Sequence, residues 1–145
     1  MLDQRTTEKI GSGAGRTADR RLAASHPVID DWLEAVNARA VDRVCALYAR
    51  DAILLPTLSD VICDSPERIE EYFASFLARP KLAARLSSCY VQEYSEIKID
   101  SGIYEFEWEE EDSGLKRSAR ARFTFVIRDG LIVEHHSSMA PGVLP

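Results

Sequence analysis

The apolar positions change their period once along the chain. Val28, Ile29, Trp32, Leu33 and Val36, then Val41, Val44, Cys45 and Tyr48, recur at the spacing of a helix face. They predict two helical pieces broken near Asn37 to Ala40. Ala52-Ile53-Leu54-Leu55 reads as a short apolar strand that Pro56 stops. Ser65 and Pro66 open a further helix, the serine as its cap and the proline at its first position. Ile69, Tyr72, Phe73, Phe76 and Leu77 form the stripe of that helix, and Pro80 ends it. From Leu86 onward the period is two: Tyr90 to Tyr94, Ile103 to Trp108, Ala119 to Arg128 and Leu131 to Ser138 read as strands. Ser113-Gly114 and Asp129-Gly130 are hairpin turns between them.

Helices first and an antiparallel meander afterwards is an α+β order, not an alternating parallel one. Residues 1–25, with the Gly11-Ser12-Gly13-Ala14-Gly15 run and few groups to bury, read as a flexible tail, and 26–145 as one domain. A two-residue loop at Asp129-Gly130 sets a register. In unbroken pairing Ile127 meets Ile132, Phe125 meets Glu134, Phe123 meets His136 and Ala121 meets Ser138. One face then carries Phe123, Phe125, Ile127, Ile132, Glu134, His136 and Ser138, a mostly apolar wall with a few polar groups, as a ligand pocket has. The other carries Arg122, Thr124, Val126, Val133, His135 and Ser137. It is half apolar and calls for a cover, most simply a second subunit.

Composition narrows the function. The chain has 145 residues, 46% hydrophobic and 29% charged, with a net charge of -6. An acidic balance argues against a nucleic-acid surface, which needs clustered Lys and Arg. No apolar run is long enough for a membrane span, and no signal region opens the chain, so a cytoplasmic location is expected. Cys45, Cys63 and Cys89, odd in number and widely spaced, read as free thiols. His135 and His136 are adjacent and point to opposite faces of a strand, so a three-histidine metal site is not expected, nor any other cofactor.

The stretches Val44-Cys45-Ala46-Leu47-Tyr48-Ala49-Arg50-Asp51-Ala52-Ile53-Leu54-Leu55-Pro56-Thr57-Leu58-Ser59, Ile69-Glu70-Glu71-Tyr72-Phe73, Ser101-Gly102-Ile103-Tyr104-Glu105-Phe106 and Ile132-Val133-Glu134-His135-His136-Ser137-Ser138 resemble bacterial relatives of the calcium/calmodulin-dependent kinase II association domain. That group lies within the SnoaL-like, nuclear transport factor 2-like superfamily. The resemblance implies a cone-shaped, barrel-like α+β fold, its N-terminal helices packed into a strongly curved antiparallel sheet, with homodimers formed sheet to sheet. The group includes the iota-class carbonic anhydrases, some of them metal-free, whose last strand carries an HHHSS signature and which hold bicarbonate by a Thr, a Tyr, a His and a Ser. Matched by motif, these are Thr57, Tyr72, His136 and Ser138, with Glu134 in place of the first His. Trp32, Tyr48, Tyr104, Phe123, Phe125 and Glu134 are the expected lining of the pocket. The expectation is a pocket protein for a small molecule or bicarbonate-like anion, with metal-free hydration of carbon dioxide as its enzymatic form. The alternative is a non-catalytic dimerisation or ligand-binding module.

Overall fold

The computed structural model describes residues 24–142; the expected tail lies outside these apart from residues 24 and 25. Two helices come first, α1 (Pro27–Asn37) and α2 (Val41–Cys45), separated where Arg39 takes a positive φ of 58°. Strand β1 (Tyr48–Leu55) follows, then α3 (Pro66–Phe76), then the strands β2 (Ala83–Glu93), β3 (Lys98–Glu109), β4 (Lys116–Arg128) and β5 (Leu131–Met139). Ser65 caps α3 by accepting the Arg68 backbone N–H at 3.2 Å, and Pro66 stands in the first turn. The second helix is shorter than its pattern predicts. Tyr48 already belongs to β1, where its side chain is buried all the same.

The five strands form one sheet in the order β1-β5-β4-β3-β2. All neighbours are antiparallel except β1, which joins β5 in parallel, so the sheet is mixed where an antiparallel one was expected. The connection from β1 to its parallel partner β5 runs through α3 and the strands β2 to β4, which is long enough to permit the parallel edge. Val28, Ile29, Trp32, Ala35 and Val36 of α1 and Ile69, Phe73 and Phe76 of α3 are buried. With Tyr104, Phe106, Phe123, Phe125, Ile127 and Ile132 of the sheet they form a single core. Gly102 serves the bend of the sheet: a Cβ there would stand 2.1 Å from the Ser88 carbonyl oxygen, beside the irregularity between Leu86 and Ser88.

The expected register holds for two pairs and then fails. Asp129 and Gly130 both have positive φ (54° and 77°), which is the geometry of a two-residue hairpin loop, and Arg128 pairs with Leu131 and Ile127 with Ile132. The next pair is Val126 with Glu134, so Val133 is an extra residue on β5, a β-bulge. Beyond it Phe125 meets His135, Thr124 meets His136, Phe123 meets Ser137 and Arg122 meets Ser138. Each side chain after the bulge therefore lies on the face opposite to the expected one. His135 and Ser137 point into the cone and are buried, whereas Glu134 and His136 are exposed on the outer face and Ser138 is half-exposed there. The physical reason is the charge of Glu134: unbroken pairing would bury a lone carboxylate among Phe125, Ile127 and Ile132, and the bulge keeps it in water.

His26 stands at the start of α1, fully inside the fold. Its backbone N–H donates to Asp100 Oδ2 at 2.8 Å, its Nδ1 meets Asp100 Oδ1, and its Nε2 lies 3.0 Å from Glu93. Asp100 is 0% exposed and also receives the Cys89 thiol at 3.8 Å. The hydrogen bond from His26, aided by Lys98, holds the Glu93 carboxyl below its ordinary pKa. This cluster ties the entry of α1, the helix that carries Trp32, to β2 and β3.

Candidate functional site: a polar floor in an apolar cone

The cone encloses a small cavity lined by Trp32, Leu54, Pro56, Thr57, Tyr72, Phe73, Phe76, Tyr104, Phe106, His135 and Ser137. A water-sized molecule has about 10 Å³ in which to place its centre, which is room for one water. The apolar lining comes from α1, α3 and the strand centres. Three elements supply the polar lining groups that bond to one another, His135 and Ser137 from β5, Tyr104 from β3 and Thr57 from the chain leaving β1, and α3 adds Tyr72.

These polar groups form one connected chain. Trp32 Nε1–H donates to the Tyr48 hydroxyl at 3.0 Å, and that hydroxyl lies 2.8 Å from His135 Nδ1. On the other side of the ring, His135 Nε2 lies 3.1 Å from the Tyr104 hydroxyl, which donates to Ser137 Oγ at 2.5 Å. Ser137 Oγ and Thr57 Oγ1 share a hydrogen bond. Tyr72 stands apart from this chain and donates its hydroxyl proton to the Thr57 carbonyl at 2.9 Å. The imidazole of His135 stacks on Phe125 with ring centroids 3.9 Å apart, and Trp32 stacks on Tyr104 at 5.7 Å.

Burial governs the electrostatics. His135 is 2% exposed; desolvation, with a smaller contribution from neighbouring His136, pushes its pKa down to about 3, so the ring is neutral near pH 7. Desolvation likewise raises the Tyr48, Tyr72 and Tyr104 hydroxyls far above the ordinary phenol range. The thiols are pushed up too, Cys45 to about 11 and Cys89 to about 12, chiefly by burial, which leaves neither a nucleophile at neutral pH. The cavity lining contains no carboxylate. Among the described residues no three His, Cys, Asp or Glu side chains converge as a metal site would require.

Of the residues expected at the site, Thr57 and Tyr72 line the cavity, and Trp32 and Tyr104 with them. Tyr48 is one shell behind, bonded to His135 and Trp32. Phe123 and Phe125 are buried in the core beside it. His136, Ser138 and Glu134 are not there: the bulge turns them outward and puts His135 and Ser137 in the cone. The sequence carries one signal of this exchange. Glu134 is the residue least able to face a greasy wall, and shifting the frame by one removes it.

The fold has many solved counterparts. A nuclear transport factor 2-like superfamily protein from Salmonella enterica aligns with 81% of this chain and 89% of its own, at 14% identity and a TM-score of 0.70. A Mycobacterium tuberculosis protein in complex with estradiol-17β-hemisuccinate aligns over 76% and 88%, at 17% identity and a TM-score of 0.64. An association-domain protein from Xanthomonas campestris is nearer in sequence, 33% identical over 86% of this chain and 98% of its own, with a TM-score of 0.73. No curated protein matches the sequence. Residues 24–141 match the family described as the calcium/calmodulin-dependent protein kinase II association domain, and the chain, with its nuclear transport factor 2-like cone, belongs to that family.

Proposed function

We propose that the cone is a binding site for a small oxygen-bearing ligand, a water as it stands and bicarbonate once side chains of its lining move apart, and that hydration of carbon dioxide is the reaction such a site would serve. The observation that carries this reading is the convergence of the Thr57, Tyr72, Tyr104 and Ser137 hydroxyls on a cavity of about one water, with no carboxylate in its lining. Hydroxyls orient an acceptor oxygen without adding charge, and a lining without carboxylates does not repel an anion. The same features disfavour other chemistry found on this fold. Proton abstraction from a steroid or opening of an epoxide needs a carboxylate in the cone, and a steroid would have to displace Trp32, Phe73 or Phe76. In this reading Thr57, Ser137 and Tyr104 hold the ligand. Tyr72 fixes the Thr57 segment, and His135 orders the hydroxyls behind them.

A second reading, a non-catalytic ligand-binding module, is favoured by one observation. Burial keeps His135 neutral down to about pH 3, so it is a poor proton acceptor for an attacking water. Stopped-flow carbon dioxide hydration by metal-stripped protein separates the two, run beside bicarbonate titration followed by ¹³C line broadening. Turnover above buffer that falls at least about tenfold in a folded Ser137→Ala variant supports the lyase. Bicarbonate binding without turnover supports the binding module, and neither signal would sink the reading of the cone as a bicarbonate site.

A further inference from the structure

The hydrogen-bond chain behind the cavity has a direction, and Trp32 sets it. An indole N–H can only donate, and that of Trp32 gives its proton to the Tyr48 oxygen. Among the described residues the proton of Tyr48 then has one polar neighbour left, His135 Nδ1 at 2.8 Å. Nδ1 is therefore an acceptor, and a neutral imidazole with a bare Nδ1 carries its proton on Nε2. Nε2–H donates to the Tyr104 oxygen, Tyr104 donates to Ser137, and the Ser137 and Thr57 hydroxyls share a hydrogen bond, with Thr57 bonded to Tyr104 as well. The reverse assignment fails at its first step. Tyr48 would accept from both Trp32 and His135, and its own proton would be stranded in a fully buried place, which is costly.

We propose that the chain from Trp32 through Tyr48 to His135 fixes the imidazole in its Nε2–H tautomer, with Nδ1 occupied by the Tyr48 proton and Nε2–H spent on Tyr104, so that the ring offers the cone no free acceptor nitrogen.

Two-bond ¹H–¹⁵N correlation spectra of the full chain with ¹⁵N-labelled histidine test the assignment. The chain has three histidines, so a His135→Gln spectrum identifies the resonance. The expected result at pH 7 is a protonated Nε2 and a bare Nδ1 for His135. Tyr48→Phe takes the donor from Nδ1 but leaves Nε2–H its acceptor, so Nε2 should stay protonated while the bare Nδ1 ¹⁵N resonance moves downfield. A wild-type Nδ1–H tautomer, or an Nδ1 resonance unmoved in folded Tyr48→Phe, overturns the proposal.

Discussion

His135 is neutral in the folded chain because its surroundings cannot solvate a charge. This makes stability depend on pH. The unfolded chain takes up a proton at this histidine near the ordinary value of 6.5, and the folded chain only near 3. Between these values the unfolded state binds more protons, so the stabilisation is fully present above pH 6.5 and is lost as pH falls, by about 1.4 kcal/mol per unit. Urea denaturation at pH 7 and pH 5 should show this loss in the wild type and a smaller one in His135→Gln. Equal losses would mean that the imidazole is not shielded from water. At this scale the chemistry of the site was partly legible. Thr57 and Tyr72 stand out by motif, and both line the cavity. The choice between His135 and His136, or Ser137 and Ser138, was not, because adjacent identical residues differ only in the face they occupy.

Two elements carry features that a linear pattern does not display. The bulge at Val133 inserts one residue into β5 and reverses the facing of all that follows, which is how a single local irregularity decides which histidine enters the cone. The second is the closure of the β2 edge by a side chain. Asn37, the last residue of α1, donates its amide to the Ala84 carbonyl at 3.0 Å and accepts the Ala84 N–H at 2.7 Å. It thus replaces a neighbouring strand at that point of an outermost strand. Asn37→Ala leaves both backbone groups without this partner and should cost about 1–3 kcal/mol, with faster hydrogen exchange at the Ala84 amide. An unchanged exchange rate would show that water serves that edge as well as asparagine does. The helices and the hairpin of β4 and β5 were readable from periodicity, proline and serine positions, whereas β2 runs Ala83–Glu93 where only Tyr90 to Tyr94 was expected and β3 runs Lys98–Glu109 where only Ile103 to Trp108 was. Their side-chain ties across the fold were not, since Asn37 and Ala84 are remote in sequence.

At the scale of the whole molecule, the outer face of the sheet presents Ile53, Ile99, Ile103, Thr124 and Val126, all half-buried, with Arg122, Glu134 and His136 among them. A homodimer through this face is the expected assembly, and Val126→Asp should convert it to a monomer in sedimentation velocity while the far-ultraviolet circular dichroism stays unchanged. An intact dimer in that variant would move the interface elsewhere; a monomeric wild type would remove it. The sequence by itself determined the α+β order, the helix starts at Pro27 and Pro66, the hairpin at Asp129-Gly130 and the apolar stripes that build the core. All of these depend on near neighbours, through backbone preference and the period of side-chain facing. Only the tertiary structure decided the parallel pairing of β1, the burial of His26 against Asp100 and the entry of His135 and Ser137 into the cone. Those depend on which distant groups meet and on the cost of burying Glu134, a balance that is struck only when the whole sheet closes around its core.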